Sequence, residues 1–569
     1  MFTRVNSVTN GRPKVLQNVD MGKKHISANF LKSLMDGTGV ETGQPLTTIY
    51  LKNIVVDGDL VLPNEEVKPD VDFTEATFTG DIDCAGCTFD SGFSIHGGTV
   101  CAAHFNNASA QRNLTFDNVT FSGGVYFDNL TVAGTLYMKG CMFKAKPISI
   151  GSTHYVPASF TDVHALNIDF STDTPSQTIF MCPVNFDGAH LDGYASFANV
   201  QFECSRQLAD FRNMAIQAYA DFTKCTFEGP VSFQSSSIDS NLNIANSYFK
   251  NGGSVSDFEE MHVAGTANFE GATFSGPVSF SRCVIRGDLD FQNATIMKAN
   301  ASTEFVSDWD ISLCPLSQTP KQNSDFYESN IEDADFATTT FFGPIDFSEA
   351  TFHKLNLGDA GHFHSTADFE GATYTSLLRN GQATLLSLFR KLPEYDLSDF
   401  TTLENYLQGK GDADGATKVL FAQKSAEMNS LMVAHSRSVV EAIENWLHIA
   451  LDCFLEVTVG YGRLPSLALI WSLGFVLYGA YLYRDRNKMK ARKPEDELRR
   501  DYNGFVYSLS LFLPFVDLDS STIWRPDTKP RQLEAKWRTN WRVAYMRLHI
   551  LLGWLLVPIG LASITGLIK

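Results

Sequence analysis

The chain has 569 residues, a net charge of −19 and 44 Phe. That acidic balance disfavours direct nucleic-acid binding, which needs a basic footprint. Length alone would suggest several globular domains, but the phenylalanines recur at fixed steps, and a repeat has to be recognised before any other assignment.

Residues 1–46 have no apolar core after Met1, and Lys14, Lys23 and Lys24 sit in polar sequence, so no signal peptide is expected. Residues 28–35 read as a short helix. Residues 47–62, TTIYLKNIVVDGDLVL, alternate like strand and read as a first coil or a cap over an open ladder end. Residues 1–70 are therefore assigned to an N-terminal segment and capping coil.

From 71 to 376 one rhythm dominates. The stretch 269–296, FEGATFSGPVSFSRCVIRGDLDFQNATI, places Phe269, Phe274, Phe280, Ile285, Phe291 and Ile296 at alternating steps of five and six. Phe222, Phe227 and Phe233 carry the same rhythm upstream, and Phe347 and Phe352 carry it downstream. A small residue often stands two places before an anchor, as at Ala272, Ala294 and Ala350, and Gly276 and Gly287 follow two places after. The steps fit neither a helix nor a simple strand. They fit a coil with short straight faces, one large inward residue per face, and Gly, Asn or Asp at tight corners.

This pattern resembles the pentapeptide-repeat proteins, in particular their Phe-rich variety. The resemblance implies a mainly β fold: a right-handed quadrilateral β-helix, followed here by an α-helical linker and a small α-helical transmembrane region. At about 21 residues per coil and a strand spacing of about 4.8 Å, roughly 14 coils are expected.

Ten cysteines raise a disulfide or metal reading, and Cys84-Ala-Gly-Cys87 has CxxC spacing. Their register argues against it. Cys87, Cys141, Cys225 and Cys283 occupy the small slot two places before an anchor, and Cys84 is itself an anchor, so they read as buried small residues. No second CxxC completes a zinc site. The weak metal candidates are His362 and His364 with Asp359, the two His alternating onto one strand face.

Residues 144–159 and 299–326 lose the step and read as surface insertions. Residues 71–376 contain 36 Asp plus Glu against 13 Lys plus Arg, a charge of −23 that leaves +4 for the remainder. Some soluble proteins that the repeat resembles mimic duplex DNA and bind topoisomerases. An acidic face that simply keeps the coil soluble is the plainer reading. No nucleophile motif, phosphate-binding Gly-rich loop or dinucleotide fingerprint is present, so neither catalysis nor a cofactor is expected.

Residues 377–438 switch to helical patterning, with helices expected over 383–392, 400–407 and 412–429 as a hairpin linker. Residues 439–569 read as a membrane region. In 439–456, Glu441, Glu444, His448, Asp452 and Glu456 form one polar stripe, as on a surface helix. Spans are expected near 464–483 and 546–568, with an apolar but short segment between them at 505–516. The order of these segments resembles the C-terminal membrane region of a bacterial pentapeptide-repeat family. Thr458, Val459, Gly460, Tyr461 and Gly462 match a potassium-channel filter, in which carbonyls coordinate the ion. No outer span precedes them, and Arg463 stands where an Asp usually follows.

The basic run after the first span would lie in the cytoplasm by the positive-inside rule. A cytoplasmic rod then requires residues 446–459 to enter the bilayer as well. The reading is a protein-binding scaffold on a bacterial cell membrane, multi-pass or hairpin-anchored, with an acidic coil on the cytoplasmic side. Its partners are the lipid bilayer and an unidentified protein. An ion channel and a topoisomerase-directed DNA mimic are the alternatives.

Overall fold

The computed structural model describes residues 15–36, 46–144, 147, 155–172, 176–205, 207–250, 255–298, 323–378, 380–392, 396–433, 439–493, 502–513, 516, 520–527 and 536–564. The chain divides into two compact units, Met1–Val419 and Leu420–Lys569.

The first unit is a β-solenoid. A regular coil carries four two-residue strands, for example Ser256–Asp257, His262–Val263, Ala267–Asn268 and Thr273–Phe274, and in other coils two faces merge into one longer strand, as in Val284–Asp290. The chain then returns one level up, where Ser256 pairs in parallel with Val278, 22 residues on. One face forms a 13-stranded parallel sheet, one strand per coil.

The corners follow from the sequence. The residue two places after every other anchor takes a left-handed conformation, as at Asn246 (φ 58°), Gly271 (φ 67°) and Asn293 (φ 59°), whereas Gly276 and Gly287, after the intervening anchors, do not. The next N–H closes the turn onto the anchor carbonyl, as Ala272 N does on Phe269 O at 3.0 Å. Asn and Gly tolerate this region best. The residue before the anchor supports the same corner: the Asp257 carboxylate accepts from Glu259 N at 3.0 Å, and Asp290 does so from Gln292 N at 2.8 Å.

The core is a set of aromatic columns. Phe233, Phe258, Phe280, Phe326, Phe347 and Phe369 stack face to face with centroids 4.8–5.2 Å apart. A second column runs through Phe269, Phe291 and Phe336 at right angles to the first, Phe269 meeting Phe280 edge-on at 87°. Offset and edge-to-face pairs are the favoured ring geometries.

The coils begin earlier than residue 71. Strand β1 (Val15–Ser27) pairs in parallel with β2 (Thr48–Asp57), which pairs with Asp70–Phe78. Alternation alone could not distinguish a coil of the ladder from a lid, because both bury every second residue. The lid is instead α1 (Ala28–Met35), capped by Ser27 and burying Leu31, Leu34 and Met35. The insertion expected at 299–326 lies outside the described residues up to 322, and the ladder resumes at Ser324–Asp325.

At the other end, α2 (Gly381–Phe389) and α3 (Leu397–Gly409) close the stack. Phe369 meets Phe389 at 6.1 Å, and Phe389 meets Phe400 at 5.2 Å, so the first column continues into the helices. Helix α4 (Ala413–Val433) begins in this unit and ends in the second.

The second unit continues with α5 (Val439–Val459), α6 (Pro465–Leu482), α7 (Gly504–Phe512), α8 (Ser520–Ile523) and α9 (Lys536–Ile564). Among the described residues one stretch, Asn540–Ala562 in α9, is long and apolar enough to cross a membrane. The other expected span is present as an apolar but shorter helix, Ser466–Leu482.

Candidate functional site

Three regions bear on function: the outer faces of the solenoid, a cluster of imidazoles on one of those faces, and the helices of the second unit.

All ten ladder residues singled out from the sequence are buried: Phe222, Phe227, Phe233, Phe269, Phe274, Phe280, Ile285, Phe291, Phe347 and Phe352. They build the scaffold's core. The small slot has a further role that size alone did not reveal. The Cys283 thiol donates to Phe258 O at 2.8 Å and Cys225 to Phe197 O at 3.0 Å. The Ser247 hydroxyl makes the equivalent bond to Phe222 O at 2.7 Å. Burial raises the pKa of the Cys225 and Cys283 thiols well above the usual range and pushes Cys182 up to about 12. Thiolate chemistry at these sites is therefore suppressed. All nine described cysteines are free.

The acidic faces divide into two kinds of carboxylate. Asp210, Asp221, Asp257, Asp290, Asp325, Asp335, Asp346 and Asp368 each accept from the N–H two residues on. These hold corners while still contributing charge. Others, such as Glu260 and Glu228, pair with a base from the adjacent coil: Glu260 with Arg282 at 2.8 Å and Glu228 with Lys250 at 2.6 Å. The Arg282 hydrogen bond holds the Glu260 carboxyl below its ordinary pKa.

His362 and His364 do not share a strand face. Residues Ala360–His362 form a 3-10 turn capped by the Asp359 carboxylate, which accepts from Gly361 N at 3.0 Å. The His364 ring lies flat on Phe342 at 4.8 Å. The inward Phe363 explains the departure, since it must reach Phe341 in the column below, at 4.8 Å.

Among the described residues, His164, His190 and Asp192 instead bring three ligand atoms within 4.8 Å of one another. His164 and His190 are register partners in adjacent coils, with rings 4.9 Å apart. Each imidazole Nε2 lies 3.4 Å from an Asp192 carboxylate oxygen. The sequence signal was a repeat step stretched to 26 residues here, against 22 in the regular coils. An alignment at the regular step separates these residues.

The filter-like motif does not form an extended loop. Thr458 and Val459 end α5, and Thr458 Oγ1 donates to Phe454 O at 2.6 Å. Gly460, Tyr461 and Gly462 then take positive φ of 54°, 54° and 86°. Val459 O accepts from Gly462 N and Leu464 N, and Gly460 O accepts from Arg463 N. Carbonyls that must face an ion are thus spent on closing the α5–α6 turn, and the filter reading is corrected to a helix-ending turn.

The second unit has an inverted surface. Ile443, Trp446, Leu447 and Leu451 of α5 are exposed, Trp446 at 74%. So are Leu469, Ile470, Leu473 and Leu477 of α6, and Leu548, Leu551, Trp554 and Leu561 of α9. Inside, two apolar clusters, one around Tyr483, Tyr507 and Trp524 and one around Val476, Phe512 and Leu556, lie beside a few buried polar groups. Ser508 and His549 are both fully buried; Ser508 Oγ donates to Val476 O at 2.8 Å and lies 3.1 Å from His549 Nε2. Gly479 makes room for them, since a Cβ there would stand 2.3 Å from Ser508 Oγ. An apolar groove of about 310 Å³ runs between α6, α7 and α9, lined by residues such as Leu473, Phe505 and Leu556. The α5 stripe of charges is split: Glu444 and His448 are exposed, Asp452 and Glu456 are half-buried, and Ile443, Trp446, Leu447 and Leu451 are exposed as well.

Compared with known proteins, residues 258–301 match the family described as pentapeptide repeats (9 copies). The match falls on the regular coils, and with the solenoid it supports a pentapeptide-repeat protein. No curated protein and no solved structure matches the chain.

Proposed function

We propose that this is a membrane-anchored pentapeptide-repeat scaffold that presents an acidic solenoid to a protein partner and performs no catalysis. The solenoid fold is consistent with an interaction scaffold, since it offers long, rigid faces. The apolar side chains that α5, α6 and α9 expose carry the anchoring part: surface of this kind over a core that also encloses the Ser508–His549 pair suits lipid rather than water. Basic residues Arg484, Arg486, Lys488, Lys490, Arg492 and Lys493 follow α6 directly, and this favours a cytoplasmic address for that segment. In this proposal the membrane is the bacterial cell membrane, and the solenoid shares the cytoplasmic side with the basic segment because residues 446–459 enter the bilayer with α6 as a hairpin.

Alkaline extraction of membranes tests the anchor. The full chain is expected to stay in the pellet and to be released only by detergent, while Leu551→Asp with Leu473→Asp shifts it to the soluble or aggregated fraction. Release of the unsubstituted chain by alkali alone would remove the anchor. Photo-crosslinkers at exposed Tyr248 and Phe342 test the partner. One discrete protein adduct, absent from an oppositely placed probe, is expected; equal or absent adducts at every face would overturn the binding role.

A further inference from the structure

We propose that His164, His190 and Asp192 form a binding site for a divalent transition-metal ion of the zinc class on the outer face of the solenoid, clipping two successive coils together. The donor set is two imidazoles and one carboxylate, a combination suited to Zn²⁺ and its neighbours. Ligand distances of about 2.0–2.1 Å imply ligand-to-ligand edges of about 3.4 Å in a tetrahedron. The two imidazole–carboxylate separations are 3.4 Å but run to different oxygens, His164 Nε2 to Oδ2 and His190 Nε2 to Oδ1, so the carboxylate faces both rings and must turn to offer one oxygen to the ion. All three ligand atoms lie within 4.8 Å of one another, so small side-chain rotations bring them onto one ion.

The backbone supplies preorganisation. His164 and His190 occupy paired positions of a parallel ladder, and Asp192 follows His190 by two residues, with its own N–H donating to Ala165 O at 3.0 Å. The Asp192 carboxylate is held by Gln217 of the next coil, whose amide donates at 3.1 Å to Oδ1, the oxygen that also faces His190, and this leaves Oδ2 toward His164. An outer partner that orients a ligating carboxylate is a recurring feature of metal sites. Among the described residues the other His–carboxylate pairs, His25 with Asp57 at 2.8 Å, His96 with Asp117 at 3.6 Å and His353 with Glu332 at 3.9 Å, each bring only one imidazole. The three side chains are about half exposed, so an ion has free access, and a fourth position is left for water or for a donor group from outside the chain.

The test uses the untagged full-length protein in detergent, titrated with Zn²⁺ alone by calorimetry and with Co²⁺ followed by its visible absorption. One equivalent is expected to bind with a tetrahedral Co²⁺ spectrum, and Zn²⁺ is expected to raise the melting temperature in a concentration-dependent way. His190→Ala and Asp192→Asn should each abolish the spectrum, and Gln217→Leu should weaken binding by about tenfold. His362→Ala with His364→Ala should leave it intact. If one variant does not fold, His164→Ala gives an independent reading. An absence of saturable binding, or binding unchanged in both His164→Ala and Asp192→Asn, would overturn the site.

Discussion

In the solenoid, Phe280 is fully buried and Arg282, two residues on, is exposed. In the helical unit Leu551 is 61% exposed and His549, two residues back, is fully buried. The same separation in sequence gives opposite placements of the apolar group. Water dictates the first arrangement, because large apolar side chains leave it at a gain of about 1.5–3 kcal/mol each. The second is costly in water and natural in lipid, where the unit's few polar groups must find partners internally. Ser508 Oγ and His549 Nε2 do so, while His549 Nδ1 has no partner among the described residues.

The comparison is sharpest at the ladder. Phe280 stacks on Phe258 and Phe326 and meets Phe269 and Phe291 edge-on. Phe280→Ala should destabilise the solenoid by about 3–5 kcal/mol, measured by denaturant unfolding. A change within about 0.5 kcal/mol, as at an exposed position, would break the assignment of this column to the core.

A polar exception inside the first unit gives the next effect. Asp399 sits in the first turn of α3, is 2% exposed, and has no hydrogen-bond partner for either carboxylate oxygen among the described residues. Burial, with added repulsion from Asp396, Asp368 and Glu370, pushes its pKa up to about 7. An unfolded chain would hold it near about 3.9, so the folded state binds the extra proton between those values. Stability is full below about pH 4 and falls as pH rises through about 7. Asp399→Asn should therefore melt like the parent at pH 4 and be more stable by about 2–4 kcal/mol at pH 8. Equal melting of the two proteins at pH 8 would show that the cap tolerates the charge.

The solenoid could be read from the sequence because one physical constraint repeats: each anchor such as Phe269 or Phe291 has a fixed partner one coil away, so a local step encodes a long-range contact. The short helix at 28–35 was legible for a similar local reason, since Ser27 caps it and Leu31, Leu34 and Met35 share a face. Features that depend on irregularity were not legible. The His164–His190 juxtaposition needs the exact length of a stretched coil, and the 3-10 turn at Ala360–His362 needs the pull of Phe363 on Phe341. The filter-like pentapeptide misled because composition fixes neither the direction of a carbonyl nor its partner. The polar positions of α5 differ in burial, Glu444 and His448 exposed and Asp452 and Glu456 half-buried, because burial depends on what packs against each turn, and periodicity does not name that.

The small slot gives the smallest effect and separates size from hydrogen bonding. Ala272, Cys283 and Ser247 all occupy it, so volume alone would make Cys283→Ala and Cys283→Ser equivalent. The Cys283 thiol, however, donates to the carbonyl of Phe258, and Ser247 shows that a hydroxyl reaches the same acceptor type at 2.7 Å. Cys283→Ala leaves that buried carbonyl with one donor fewer and a small void. It should cost about 1 kcal/mol, the net worth of a typical intramolecular bond. Cys283→Ser should fall between Ala and the parent, because the hydroxyl restores the donor at a smaller radius. If Ser proved less stable than Ala in thermal melts, the slot would be selecting for apolar surface, and the thiol contact would be a consequence of packing rather than a source of stability.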